Sequence, residues 1–235
     1  MITKDLKMKK WTTTSGCTVY QVTEGRSNSY LVLDDDISIL IDTGLENSKN
    51  ELMKKLDHLL GERNLSYLIL THTHFDHVGN ATRIKKEYKA RIIVQKSESE
   101  NLKRGNTPIL HGTNPITGIL VKIGRKIKQF NEYPAVKPDY LVGEKHHLTP
   151  HCYLIHTPGH SKGSMSLIID DEVALVGDAM VGIFWWSVFP AFADDVPSMI
   201  ISWNKLLETS CNIFLPGHGT PNSRKLLKKQ YQKHR

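Results

Sequence analysis

The sequence lacks an export signal, a membrane-length apolar run and a paired-cysteine framework. Met1 to Lys10 mixes apolar residues with lysines and has no apolar centre of the kind a signal peptide needs. The apolar stretch from Ala174 to Ala193 is interrupted by Gly177, Asp178, Gly182 and Pro190. Its uncharged part, Ala179–Ala193, falls short of the ~20 residues a spanning helix requires. That stretch reads as a buried strand followed by an aromatic loop. Cys17, Cys152 and Cys211 are odd in number and far apart, with no CxxC spacing. They fit reduced, buried thiols. These absences point to a cytoplasmic chain without a membrane partner.

Present instead is an ordinary globular balance: 235 residues, 39% hydrophobic and 23% charged. The length suits a single domain with one substantial core. Lys and Arg number 31 against 24 Asp and Glu, a net charge of +7. Aromatic residues are not interleaved with the basic ones as stacking platforms, so nucleic acid is not the expected partner. A small-molecule substrate is.

Runs of β-branched and apolar residues predict strands at 17–23, 28–33, 38–41, 66–70 and 91–95, and later at 152–155, 164–169, 173–176 and 212–215. Apolar spacing predicts helices at 46–60, 76–88, 195–209 and 223–231. Residues 103–148 are rich in Gly, Pro and Lys and read as a lid-like insertion over the core. Within them, 116–130 is expected to be a helix with a basic face of Lys122, Arg125, Lys126 and Lys128. Such a charge run is usually a solvated face; its sharper reading is a lid that attracts an anionic substrate. The alternation of strands and helices suggests two sheets with helices outside.

The strongest local signal is Thr71-His72-Thr73-His74-Phe75-Asp76-His77, placed between a strand and a helix. Three imidazoles and a carboxylate in six residues suit a metal such as zinc. Three further ligand types fall just past strand ends beside glycines: His160 after Gly159, Asp178 after Gly177 and His218 between Gly217 and Gly219. Together they form one expected arrangement. His72, His74 and His160 bind one ion, Asp76, His77 and His218 bind a second, and Asp178 bridges them.

With its complete HxHxDH motif followed in order by His160, Asp178 and His218, the sequence resembles the metallo-β-lactamase-fold superfamily of metallohydrolases. Asp42-Thr43-Gly44 also matches that family's early aspartate motif, and the likeness covers roughly residues 20–220. The resemblance implies an αβ/βα four-layer sandwich of two mixed β-sheets with helices outside, a dinuclear metal site along one edge, and a role for Asp42 behind the ligands. An aspartate at 178 is similar to the glyoxalase II and lactonase-like branch; β-lactamases of this fold generally lack it. About fifteen residues follow the last motif, so the glyoxalase II C-terminal domain is not expected. Val181 stands where quorum-quenching lactonases carry a tyrosine, and His74 excludes the flavodiiron pattern.

The chemistry expected is hydrolysis of an ester, thioester or lactone by a hydroxide held between two divalent ions, most simply zinc, with manganese or iron as substitutes. Asp76 is the expected catalytic carboxylate, binding metal and moving a proton to the leaving group. Trp185 or Trp186 is expected to line an apolar substrate pocket. The rival chemistries on the same fold are a mononuclear iron oxygenase resembling persulfide dioxygenases, held by His72, His160 and Asp178, and a phosphodiesterase or nuclease.

Overall fold

The computed structural model describes residues 8–108, 111–124, 126–127 and 130–235. Two sheets stack face to face. The first has seven strands in sequential order: β1 (Lys10–Thr12), β2 (Thr18–Thr23), β3 (Ser29–Asp34), β4 (Ile37–Ile41), β5 (Tyr67–Ile69), β6 (Arg91–Gln95) and β7 (Tyr140–Val142). β1 to β4 form an antiparallel meander, and β4 to β7 run parallel. The second sheet comprises β8 (Lys145–His147), β9 (Cys152–His156), β10 (Met165–Ile169), β11 (Val173–Gly177), β12 (Ile213–Pro216) and β13 (Asn222–Ser223), in the order β13-β12-β11-β10-β9-β8. Its one parallel pair is β11 with β12.

Three apolar layers hold the stack together, and strand alternation assigns residues to them. In β4, Leu40 faces the outer helices while Ile39 and Ile41 face the second sheet. In β10, Met165, Leu167 and Ile169 join that inter-sheet layer, and Ile168 faces the other way. Both faces of these strands are therefore buried, which is why they read as continuous apolar runs. Helix α1 (Lys49–Leu60) covers the first sheet through Leu52, Leu56 and Leu60. Helices α2 (Phe75–Val78), α3 (Ala81–Tyr88), α4 (Ser99–Arg104) and α5 (Pro115–Gly124) follow. α6 (Val196–Glu208) and α7 (Arg224–His234) cover the second sheet, anchored by the fully buried Trp203. Asp195 caps α6 by accepting from the Ser198 amide at 3.1 Å, and Ser223 caps α7 by accepting from the Leu226 amide at 3.3 Å. The result is the αβ/βα four-layer sandwich of two mixed sheets.

The structure departs locally from the sequence reading at three places. The helix expected over 76–88 breaks at Gly79 and Asn80. A Cβ on Gly79 would lie 2.5 Å from the Glu46 amide nitrogen, and Asn80 Nδ2 donates to the Thr43 and Leu45 carbonyls at 2.8 and 2.7 Å. The chain is thus pinned against the 43–46 turn and cannot continue as one helix. Residues 103–148 contain β7 and β8, which form an edge of each sheet. The basic helix ends at Gly124; Lys122 lies on it and Lys126 just beyond, while Arg125 and Lys128 lie outside the described residues. Among the described residues, no helix is long and apolar enough to cross a membrane.

Candidate metal centre

The expected ligand residues arrive from four strand ends. The loop after β5 carries His72, His74, Asp76 and His77. The β9–β10 connection carries His160, the end of β11 leads to Asp178, and the end of β12 leads to His218. Backbone bonds between and within the sheets bring these ends together. The Met165 amide donates to the Thr71 carbonyl at 2.9 Å, the Asn28 amide to Gly217 at 2.7 Å and the Gly217 amide to Gly177 at 2.7 Å.

Donor atoms of His72, His74 and His160 lie within 4.8 Å of one another, as do those of Asp76, His77 and His218. Asp178 stands between the two sets: its Oδ2 is 3.5 Å from His160 Nε2 and 3.1 Å from His218 Nε2, and its Oδ1 is 3.5 Å from His77 Nε2. Asp76 Oδ2 lies 3.5 Å from His218 Nε2.

Hydrogen bonds on the far sides of the rings fix which nitrogens are free. His77 Nδ1 donates to Asp42 Oδ2 at 2.8 Å, and His160 Nδ1 donates to the Phe192 carbonyl at 2.9 Å. Thr71 Oγ1 uses its single proton on Asp42 Oδ2 at 2.7 Å, so the 3.1 Å contact with His72 Nδ1 is a donation from the ring. In the neutral imidazoles each Nε2 is therefore a bare lone pair. His160 Nε2 faces His74 Nδ1 at 3.0 Å, and His77 Nε2 faces His218 Nε2 at 3.3 Å. His72 Nε2, His74 Nε2 and Asp178 Oδ1 are buried with no hydrogen-bond partner. Buried lone pairs and carboxylate oxygens gathered without donors are costly unless a cation joins them. The residues present fit divalent ions.

Electrostatics agree. Burial, aided by the neighbouring rings, holds His72 and His74 well below the ordinary histidine pKa, so both are neutral and able to ligate. Burial also lowers His77, but Asp178 and Asp42 outweigh it and push its pKa to about 10. Burial works against the Asp178 carboxylate, yet His218, His77 and His160 hold it well below the usual range. Burial works against positive charge at His77 and His218, but the nearby carboxylates, Asp178 foremost, outweigh it at both, and the same carboxylates favour a cation entering here.

Glycine 217 is needed for closeness. A Cβ there would sit 2.3 Å from Asp178 Oδ1 and 2.6 Å from His77 Cε1. Glu98 is a member of the site that sequence reasoning missed. Buried to 1% exposure, its Oε2 accepts from the Thr73 amide at 3.2 Å and from Thr73 Oγ1, while its Oε1 accepts from Ser161 Oγ at 2.7 Å and the Gly163 amide at 3.0 Å. One carboxylate thus ties the His74 loop to the His160 loop. In sequence it stands among Lys96, Ser97, Ser99 and Glu100 and looks like part of an exposed charged face.

A cavity of about 550 Å³ opens over the centre, with His74, Asp76, His160, Asp178 and His218 at its floor. Much of its wall is apolar: Leu120, Ile123 and Ile127 of the α5 region, Phe75 and Phe130, and Val181, Ile183 and Phe192. Trp185 and Trp186 are not among the lining residues. Trp186 stacks on Phe184 and Trp185 meets Trp186 edge-on, with Trp185 85% and Trp186 52% exposed.

Residues 22–218 match the family model described as the metallo-beta-lactamase superfamily. The chain belongs to that superfamily. A probable metallo-hydrolase of Methanocaldococcus jannaschii is 26% identical over 196 residues, covering 82% of this chain and 87% of that protein. Among solved structures, an archaeal metallo-beta-lactamase superfamily protein from Sulfolobus tokodaii superposes with a TM-score of 0.68 at 21% identity, over 92% of this chain and 85% of its own. The protein TTHA1623, solved in a di-iron-bound form, gives a TM-score of 0.65 at 22% identity, over 89% and 97%. As a superfamily member the chain is of metallo-hydrolase type, and its clustered His and Asp residues are candidate ligands for divalent metal.

Proposed function

We propose that the protein is a dinuclear metal-dependent hydrolase of the glyoxalase II and lactonase-like branch, cleaving an ester, thioester or lactone. The observation that carries this reading is the position of Asp178, within 3.5 Å of ligand-type nitrogens from both donor sets. A shared carboxylate is what a two-ion site needs. His72, His74 and His160 would hold one ion and Asp76, His77 and His218 the other, with zinc the expected metal. That the fold can carry two metals is supported by the di-iron-bound relative. Bound there, two divalent ions supply a strong nucleophile near neutral pH and polarise the substrate carbonyl.

The chain's own groups then have separable tasks. Asp42 holds the His77 ring in the tautomer that presents Nε2. Asp76 borders the cavity, so its free oxygen can orient the nucleophile and carry a proton to the leaving group. The apolar walls exclude water and select substrates with a hydrocarbon body. Residues of α5 form one of those walls, which supports reading the 103–148 segment as a lid. The test is Asp76→Ala against a panel of esters, thioesters and lactones in metal-loaded protein. The expected result is a loss of kcat/KM of about 100-fold or more with an unchanged circular dichroism spectrum. Wild-type turnover in the variant contradicts the mechanism.

A further inference from the structure

The cavity leaves a large apolar surface unexplained. On α5 the exposed apolar residues Ile116, Ile119, Leu120 and Ile123 recur at helical spacing, forming one stripe. Leu120 and Ile123 belong to the cavity wall, but Ile116 and Ile119 continue the stripe outside it, 73% and 59% exposed. Directly after Ile183 of the cavity wall, Phe184, Trp185 and Trp186 form a packed aromatic group outside the cavity, with Trp185 85% exposed. The two segments are joined: Gly112 bridges to Phe192, and the Thr113 amide donates to the Ala191 carbonyl at 3.1 Å. A substrate inside the cavity would cover none of these outer residues. Exposed apolar side chains flanking one cavity in this way mark an interaction surface.

Charge indicates the occupant. Lys122 and Lys126 are exposed beside the stripe, and Arg26 lines the same cavity. In the sequence, positions 106–131 and 179–193 contain no Asp or Glu, and the Asp194 that follows is paired with His111 at 3.1 Å. A second copy docked through a two-fold axis would bring these cations toward their own equivalents, which is repulsive. An anionic headgroup layer would neutralise them while accepting Ile and Trp side chains at its apolar boundary. Trp185 and Trp186 are both exposed, so their indoles can reach headgroups and interfacial water. The sequence expectation of no membrane partner rested on span length, which does not bear on peripheral contact.

We propose that this face docks on an anionic lipid surface, so that the site opens toward the headgroup layer and takes amphiphilic esters from it. The docking stands on the surface alone; the choice of substrate rests on the hydrolase reading. The experiment is co-sedimentation of the full chain with vesicles of phosphatidylcholine alone and of equal parts phosphatidylcholine and phosphatidylglycerol, with tryptophan emission recorded in parallel. The protein should partition onto the anionic vesicles with a blue shift. The double variant Ile116→Glu/Ile119→Glu should lose partitioning by about tenfold or more while still hydrolysing a short water-soluble ester. Lys122→Glu/Lys126→Glu should lose the preference for anionic lipid. Absence of binding to either vesicle overturns the proposal. So does a concentration-dependent dimer, seen by light scattering, that Ile116→Glu/Ile119→Glu dissolves while vesicles bind nothing. Vesicle binding by a protein that hydrolyses no ester removes the hydrolase reading and upholds the docking.

Discussion

Asp42 and His77 are joined by a 2.8 Å hydrogen bond between a buried carboxylate oxygen and the ring nitrogen facing away from the centre. Asp42 also accepts from the Thr71 amide at 2.8 Å and the Thr71 hydroxyl at 2.7 Å. Its φ of 57° lies in the left-handed region, which Asn tolerates, so Asp42→Asn tests the hydrogen bonding without backbone strain. The new amide opposes the Nδ1–H of His77 and favours the wrong tautomer. Metal affinity should fall by about 10- to 100-fold, read by competition with a chromophoric chelator. Unchanged affinity would mean that Asp42 only shapes its turn.

Glu98 makes a second prediction. Glu98→Ala leaves the Ser161 hydroxyl and the Thr73 and Gly163 amides without their acceptor in a buried place. The variant should lose about 3 kcal/mol in denaturant unfolding, because bonds to a buried charge are worth more than neutral ones. Metal affinity should drop with it, since both histidine loops are released. A stability loss with intact metal affinity would restrict Glu98 to a structural role.

Gly217→Ala isolates the geometry of the centre. The added methyl would meet Asp178 and His77 at contact distances too short to accept, while the backbone at 217 keeps an ordinary φ. The fold should survive and metal stoichiometry should fall. Full metal binding by this variant would show that Asp178 and His77 have room to move.

Away from the site, His151 Nδ1 donates to Asp170 Oδ1 at 2.8 Å, and Asp170 also accepts from Thr13 Oγ1 at 2.6 Å, pinning the start of the first sheet to the β10–β11 turn. The bond to Asp170 raises the pKa of His151 above its ordinary 6.5. Burial pushes Asp170 up, but Ser15, Thr13 and His151 outweigh it and hold its pKa below the ordinary 3.8. The histidine's contribution is therefore complete below its ordinary pKa and fades as pH rises through the raised one. The aspartate's contribution is present above its ordinary pKa and fades as pH falls through the lowered one. His151→Gln should lower Tm more at about pH 5.5 than at about pH 9. An equal loss at both values contradicts the ion pair.

Much of this was legible in the chain. The strands of the inter-sheet layer were visible because residues such as Ile39, Leu40 and Ile41 are buried on both faces and leave an unbroken apolar run. His72, His74, Asp76 and His77 were visible because metal chemistry forces unusual residue types into one turn. What stayed hidden depends on distant partners. β7 and β8 are short edge strands whose pairing comes from β6 and β9, with little local signature. Glu98 acquires its role only when Thr73 and Ser161 fold against it. The outward turn of Trp185 could not be read, because periodicity does not say which side of a loop meets solvent.

The most direct measurement is the metal content of the purified chain by mass spectrometry, paired with hydrolysis of the ester panel. About two divalent ions per chain are expected, falling to about one when His218 is replaced by alanine, with hydrolysis lost alongside. A single iron per chain with oxygen consumed and no ester cleaved would contradict it.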